Sequence, residues 1–146
     1  MKVLVAFDGT EHSVLALEEA AKIAASEDAQ ITVLSVVQPD AGPSKSGGHV
    51  GLPPHGDKDI AFAHTYLSER GIEASTKVNH GDPADEIVNE ARVGNFDLIV
   101  VGTRELGPVG RVLGSVSRKV AQAAPSPIVV AGKTATKRIE PVAAAR

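Results

Sequence analysis

Two stretches of the chain combine carboxylate, hydroxyl and glycine residues at spacings suited to a small polar ligand. In the first, Val5-Ala6-Phe7-Asp8-Gly9-Thr10, an apolar run ends in a carboxylate, followed by a glycine and a residue suited to cap a helix. Asp8 can accept hydrogen bonds from a base edge or a ribose, or it can tie down its own turn through local backbone bonds. The second runs from Val101-Gly102-Thr103-Arg104-Glu105 through Gly107 and Gly110 to Gly114-Ser115-Val116-Ser117-Arg118. Here an apolar strand opens into a glycine-bearing loop that delivers two hydroxyls to the start of a helix. Free backbone N–H groups and the positive end of the helix dipole make such a start a phosphate site. Ser115 can equally be an ordinary helix N-cap, with the glycines serving only the turn.

Other groups are weaker. Gly42-Pro43-Ser44-Lys45-Ser46-Gly47-Gly48 has a superficial look of a phosphate loop, but it lacks the required glycine-to-Gly-Lys spacing and no helix follows at once. His49, His55 and Asp57, with His80, could converge on a metal, but scattered loop histidines are usually solvated, and no metal site is expected. His12 and His64 fall on helical patterns. Neither a Gly-x-Ser-x-Gly elbow nor a Ser-x-x-Lys motif occurs, and no spacing specifies a catalytic acid–base pair. No catalytic residue is therefore expected.

The elements that must position these residues are legible from hydrophobic periodicity. Five apolar runs rich in β-branched residues read as strands: Val3–Phe7, Ile31–Val37, Ile72–Val78, Leu98–Val101 and Ile128–Val130. Near-continuous apolar strands are the mark of a parallel sheet covered on both faces. Helical patterns alternate with them. Glu11–Ala25 follows Thr10 as N-cap, Asp59–Arg70 stops at Gly71, Asp82-Pro83 opens a helix to about Val93, and a fourth spans Ser115 to Ala124. Strict alternation predicts one α/β domain over residues 1–132, a doubly wound, five-stranded, mainly parallel sheet with helices on both faces. Ligands of such sheets bind beyond the carboxyl ends of the strands, where the strand order reverses. Residues 39–58, rich in Gly and Pro, read as a mobile loop insertion, and the tail 133–146 as frayed.

Composition narrows the ligand classes. The 146 residues carry 15 Lys+Arg against 18 Asp+Glu, a formal charge of −3, so no basic field recruits nucleic acid. Three Phe, one Tyr and no Trp leave little for base stacking. With no cysteine, disulfides and thiol chemistry are excluded. No run reaches the roughly 20 apolar residues of a membrane span, and a charge follows the N-terminal apolar residues too soon for a signal peptide. The expectation is a cytoplasmic protein without a membrane partner.

Four stretches in order resemble the universal stress protein family: Val5-Ala6-Phe7-Asp8-Gly9-Thr10-Glu11-His12-Ser13, Gly81-Asp82-Pro83-Ala84-Asp85-Glu86-Ile87, Asp97 to Arg104 with Leu113 to Val120, and Ser126-Pro127-Ile128-Val129-Val130. The resemblance spans about residues 2–131. It implies strand order 3-2-1-4-5, a homodimer pairing the last strands through Ile128–Val130, an unidentified regulatory protein partner and, in one branch, ATP or AMP at the switch point. Carried over by position, Asp8 and Val36 would meet adenine and ribose, beside Ala6 and Phe7. Gly102, Arg104, Gly114, Ser115, Val116 and Ser117 would hold ribose and phosphates, with Mg²⁺ bridging the phosphates if nucleotide binds. The nucleotide-binding branch has glycine, two residues, glycine, nine residues, then Gly-Ser or Gly-Thr. Here Glu105 stands where the second glycine belongs, and eight residues separate it from Gly114. A carboxylate close to a polyphosphate repels it by about 1 kcal/mol or more unless a cation intervenes, and Arg104, Arg111 and Arg118 can offset that charge. Two functions follow: a regulatory module that binds ATP or AMP, with at most slow hydrolysis, or a nucleotide-free dimeric interaction protein whose ligand loop has degenerated.

Overall fold

The computed structural model describes residues 1–39, 56–104 and 114–141. Its elements are β1 (Lys2–Ala6), α1 (Glu11–Ser26), β2 (Gln30–Val37), α2 (Gly56–Ser68), β3 (Ala74–His80), α3 (Pro83–Val93), β4 (Leu98–Gly102), α4 (Ser115–Ala123), β5 (Ile128–Ala131) and β6 (Thr136–Ile139). The sheet order is β3-β2-β1-β4-β5-β6, with parallel pairing through β5 and an antiparallel β6. The α/β doubly wound architecture and the order of its first five strands agree with the sequence expectation.

Local chemistry explains the helix ends. Thr10 caps α1 by accepting from Ser13 N–H, and Asp82 caps α3 by accepting from Asp85 N–H, with Pro83 in the first turn. Helix α2 ends in a Schellman arrangement: Ile72 N–H reaches Leu67 C=O and Gly71 N–H reaches Ser68 C=O. Gly71 has φ +76°, the left-handed conformation that glycine adopts without strain.

Because side chains alternate across a strand, the sheet builds two cores. Leu4, Leu34, Ile99, Val101, Ile128 and Val130 pack under α3 and α4, together with Ile87, Val88 and Val120. Val3, Val5, Phe7, Val33, Val100 and Val129 pack under α1 and α2, against Leu17 and Leu67. Both cores are almost wholly aliphatic, as the scarcity of aromatic residues requires. Crossing from β4 to β5, the buried Ser126 hydroxyl donates to Phe96 C=O at 2.6 Å, which ties the two strand entrances together.

Two expectations are corrected. The tail contains a sixth strand: the chain turns at Gly132, whose N–H donates to Ala135 C=O at 2.8 Å, and Thr136–Ile139 returns along β5. The sequence Thr-Lys-Arg-Ile conceals this because three of its four residues are exposed and only Ile139, opposite Ile128, packs on the core. As a result, β5 is paired on both edges within the chain, and Ile128–Val130 is not a free edge for a second copy. The loop insertion is also shorter than expected, since Gly56, Asp57 and Lys58 already belong to α2. Gly56 is buried there, with Val37 and Val78 side chains where a Cβ would project. The remainder of that segment, residues 40–55, lies outside the described residues.

Candidate functional site at the carboxyl end of the sheet

Strand registers set the site. Ala6 pairs with Leu34, Val36 with Asn79, and Val5 with Val100. Pairing continues past the formal strand ends, where Phe7 N–H donates to Leu34 C=O and Thr103 N–H to Ala131 C=O, each at 3.0 Å. Extending the register by two residues between β1 and β2 and by three between β1 and β4 puts Asn79, Val36, Asp8 and Thr103 level in one row across β3, β2, β1 and β4. All four belong to the alternating set that faces α3 and α4, since Leu4, Ala6, Leu34, Val36 and Val101 line that core.

Asp8 is exposed, and its Oδ1 is already engaged. It accepts from Thr10 N–H at 3.0 Å and from Thr10 Oγ1 at 2.6 Å. Because the Thr10 hydroxyl proton goes to the carboxylate, His12 Nε2, 3.1 Å from the same oxygen, is the donor in that contact. Asp8 N–H donates to Ser13 Oγ, which itself donates to Thr10 C=O. The turn-tying reading of Asp8 is what the structure shows, through Oδ1, while Oδ2 has no hydrogen bond among the described residues.

At the other end of the row, α4 begins. Gly114, not Ser115, occupies the N-cap position and supplies no side-chain cap, so among the described residues the first-turn N–H groups have no capping side chain. Gly114 N–H meets Thr103 Oγ1 at 3.3 Å. Ser115 is exposed and Val116 half-buried, whereas Ser117 is buried and its hydroxyl faces Gly102 C=O at 3.4 Å. Gly102 has a structural reason to be glycine, because a Cβ there would collide with the His12 carbonyl. This is the close strand–helix approach that glycine permits.

Arg104 and Arg118 are exposed beside this helix start. At the β3 end stand Glu86 and Glu90 of α3, both within hydrogen-bond reach of Asn79. Among the described residues, the segments flanking the α4 start thus carry Arg104 and Arg118, and the β3 end carries Glu86 and Glu90. Below α4, Lys119 pairs with Asp82 at 3.5 Å, and the Asp85 N–H, followed by Lys119, holds the Asp82 carboxyl below its ordinary value.

Of the anticipated residues, Ala6, Asp8 and Val36 lie at the carboxyl ends of β1 and β2, and Gly102, Gly114, Ser115, Val116 and Ser117 at the end of β4 and the start of α4, all along one edge of the sheet. Phe7 is the exception. Its side chain is buried on the opposite face and stacks on Phe62, with ring centroids 5.6 Å apart and planes 1° from parallel. Only its backbone lies at that edge. Glu105, Gly107, Gly110 and Arg111 lie outside the described residues, as do His49 and His55. Asp57 lies in the first turn of α2 and His80 ends β3, and among the described residues no group of three or more His, Cys, Asp or Glu gathers for a metal. Thr103 and Asn79 were not anticipated, because their place depends on strand register rather than on any local motif. Among the described residues, no helix is long and apolar enough to cross a membrane.

Residues 1–132 match the model of the Universal stress protein family. The chain is 34% identical over 143 residues to Universal stress protein YxiE of Bacillus subtilis, covering 88% of this chain and 97% of that protein. Among solved structures it resembles a universal stress protein in complex with cAMP, with TM-score 0.68, 26% identity, and 90% and 95% of the two chains covered. It also resembles an Arabidopsis thaliana family protein with AMP bound, with TM-score 0.69, 21% identity, and coverage of 90% and 91%. The fold, the order of its motifs and these similarities agree: the chain belongs to the universal stress protein family.

Proposed function

We propose that the carboxyl-end crevice binds an adenine nucleotide, AMP or ATP, and that occupancy regulates contacts with a protein partner. The observation that carries this reading is the polarity of the Asn79–Val36–Asp8–Thr103 row. Its α4 end offers N–H groups with no capping side chain among the described residues, flanked in sequence by exposed Arg104 and Arg118, which suits phosphate. Its other end offers the apolar Val36 beside the Asp8 carboxylate, which suits a base and ribose. Relatives of the same fold whose structures contain cAMP and AMP support it. The described residues make no protein cage for Mg²⁺, so a cation used here would be carried by the phosphates and water. Nucleotide would act by population shift, favouring whichever crevice conformation the partner reads.

A second reading, a nucleotide-free interaction protein, is favoured by the internal engagement of Asp8 Oδ1, Thr103 and Ser117. Isothermal titration with AMP and ATP, with and without Mg²⁺, separates the two. Binding that weakens in Asp8→Asn and in Gly114→Glu supports the first. The absence of heat and of thermal shift at millimolar nucleotide leaves the second.

A further inference from the structure

We infer that Asn79 is a specificity-determining residue of the crevice, which presents its side-chain carbonyl to the exocyclic amino group of the bound base. This rests on the nucleotide reading above. Asn79 pairs with Val36 in the β2–β3 ladder, so Val36 is flanked by Asn79 on one side and by Asp8 on the other. Two strand spacings, about 10 Å between Cα atoms, separate those flanks, which leaves room between the two side chains for one planar heterocycle.

The Asn79 amide cannot turn freely. One nitrogen lies 3.2 Å from Glu86 Oε1 and 3.3 Å from Glu90 Oε1. Both partners are carboxylates, which only accept, so the group facing them must be the NH₂ and both its protons are engaged. Lys77 Nζ pairs with both oxygens of Glu90, at 3.0 Å and 3.1 Å, which restrains that carboxylate in turn. Glu86 is confined as well, since its side chain lies against Gly81, where a Cβ would stand 2.9 Å from Oε2. What Asn79 retains is Oδ1, which has no hydrogen bond among the described residues. Asp8 is in the same condition, with Oδ1 held by Thr10 and Oδ2 without a partner there. Val36 is therefore flanked by two acceptors, with no donor left on either residue.

Such a pair suits a base edge that carries an amino group and penalises one that carries an oxo group, because an acceptor facing acceptors is left unpaired. Adenine presents an amino group at the position where hypoxanthine presents an oxygen. Wild-type protein should bind AMP about tenfold or more tightly than IMP. In Asn79→Ala that ratio should narrow to about threefold or less, while inorganic pyrophosphate, which probes only the α4 end, should bind as before. Titration of both nucleotides and pyrophosphate into the two proteins decides it, with thermal melts run alongside. A ratio preserved in Asn79→Ala overturns the inference and leaves Asn79 a structural residue. Equal binding of AMP and IMP by wild type also overturns it, while the nucleotide reading survives. If wild type binds no nucleotide, both fail. Should Asn79→Ala not fold, the wild-type Asn79 side-chain amide resonances in a ¹⁵N spectrum serve instead. They should move with AMP and not with IMP at matched occupancy, and no movement with AMP overturns the proposal.

Discussion

The carbonyl oxygen of His12 occupies the space into which any side chain on Gly102 would project, so the end of β4 and the first turn of α1 meet backbone to backbone. Gly102 is thus required by packing whether or not a ligand binds. Gly102→Ala should destabilise the protein by about 1–3 kcal/mol, the usual range when a tight site is overpacked. Urea unfolding measures this, and an unchanged midpoint would show that α1 moves aside at little cost.

Thr10 both caps α1 and orients Asp8 through the 2.6 Å contact to Oδ1. Thr10→Ala should cost about 1 kcal/mol from the lost cap, while Thr10→Ser should restore most of it. If nucleotide binds through a pre-oriented Asp8, the Ala variant should also weaken AMP binding and the Ser variant should not. Equal affinities in all three proteins would separate the cap from the site.

Asp82 titrates below its ordinary range because its charged form accepts from Asp85 N–H and pairs with Lys119. A carboxylate whose folded value is depressed adds stability that is complete above its unfolded value and is lost as pH falls through the folded one. Asp82→Asn keeps a capping oxygen but no titrating charge. Thermal melts from pH 6 down to about pH 2.5 should show wild type losing more stability than the variant below about pH 4. Parallel curves would sink the assignment.

Strand β6 covers the outer edge of β5, whose four residues are all buried, yet Ile139 is its one side chain packed on the core. An uncovered apolar edge is a template for pairing with another chain. Truncation after Gly132 should therefore raise self-association in sedimentation velocity relative to the full chain, with only a modest fall in melting temperature. A truncated protein that sediments like the full chain would show that β6 guards nothing.

How far the residues foretold this molecule varies with the range of the interaction. The caps at Thr10 and Asp82 and the stop at Gly71 were legible because each is satisfied within a few residues of its own position. The parallel strands were legible because burial on both faces leaves an unbroken apolar run. β6 was not, since an edge strand with exposed Thr136, Lys137 and Arg138 has the pattern of a polar tail. Phe7 was grouped with Asp8 by adjacency, although consecutive strand residues point to opposite faces and its ring lies against Phe62.

What the sequence by itself determined is the alternation of strands and helices, the helix caps at Thr10 and Asp82, and the aliphatic nature of both cores. Those features depend on local propensity and on periodicities of 2 and 3.6 residues, which the chain carries wherever it folds. Only the tertiary structure decided that Asn79, Val36, Asp8 and Thr103 share one row and that Gly102 is a packing glycine. The row depends on the register between strands distant in sequence, where a slip of one residue would turn a strand's side chains to the opposite face, and the Gly102 contact depends on how closely α1 packs on β4.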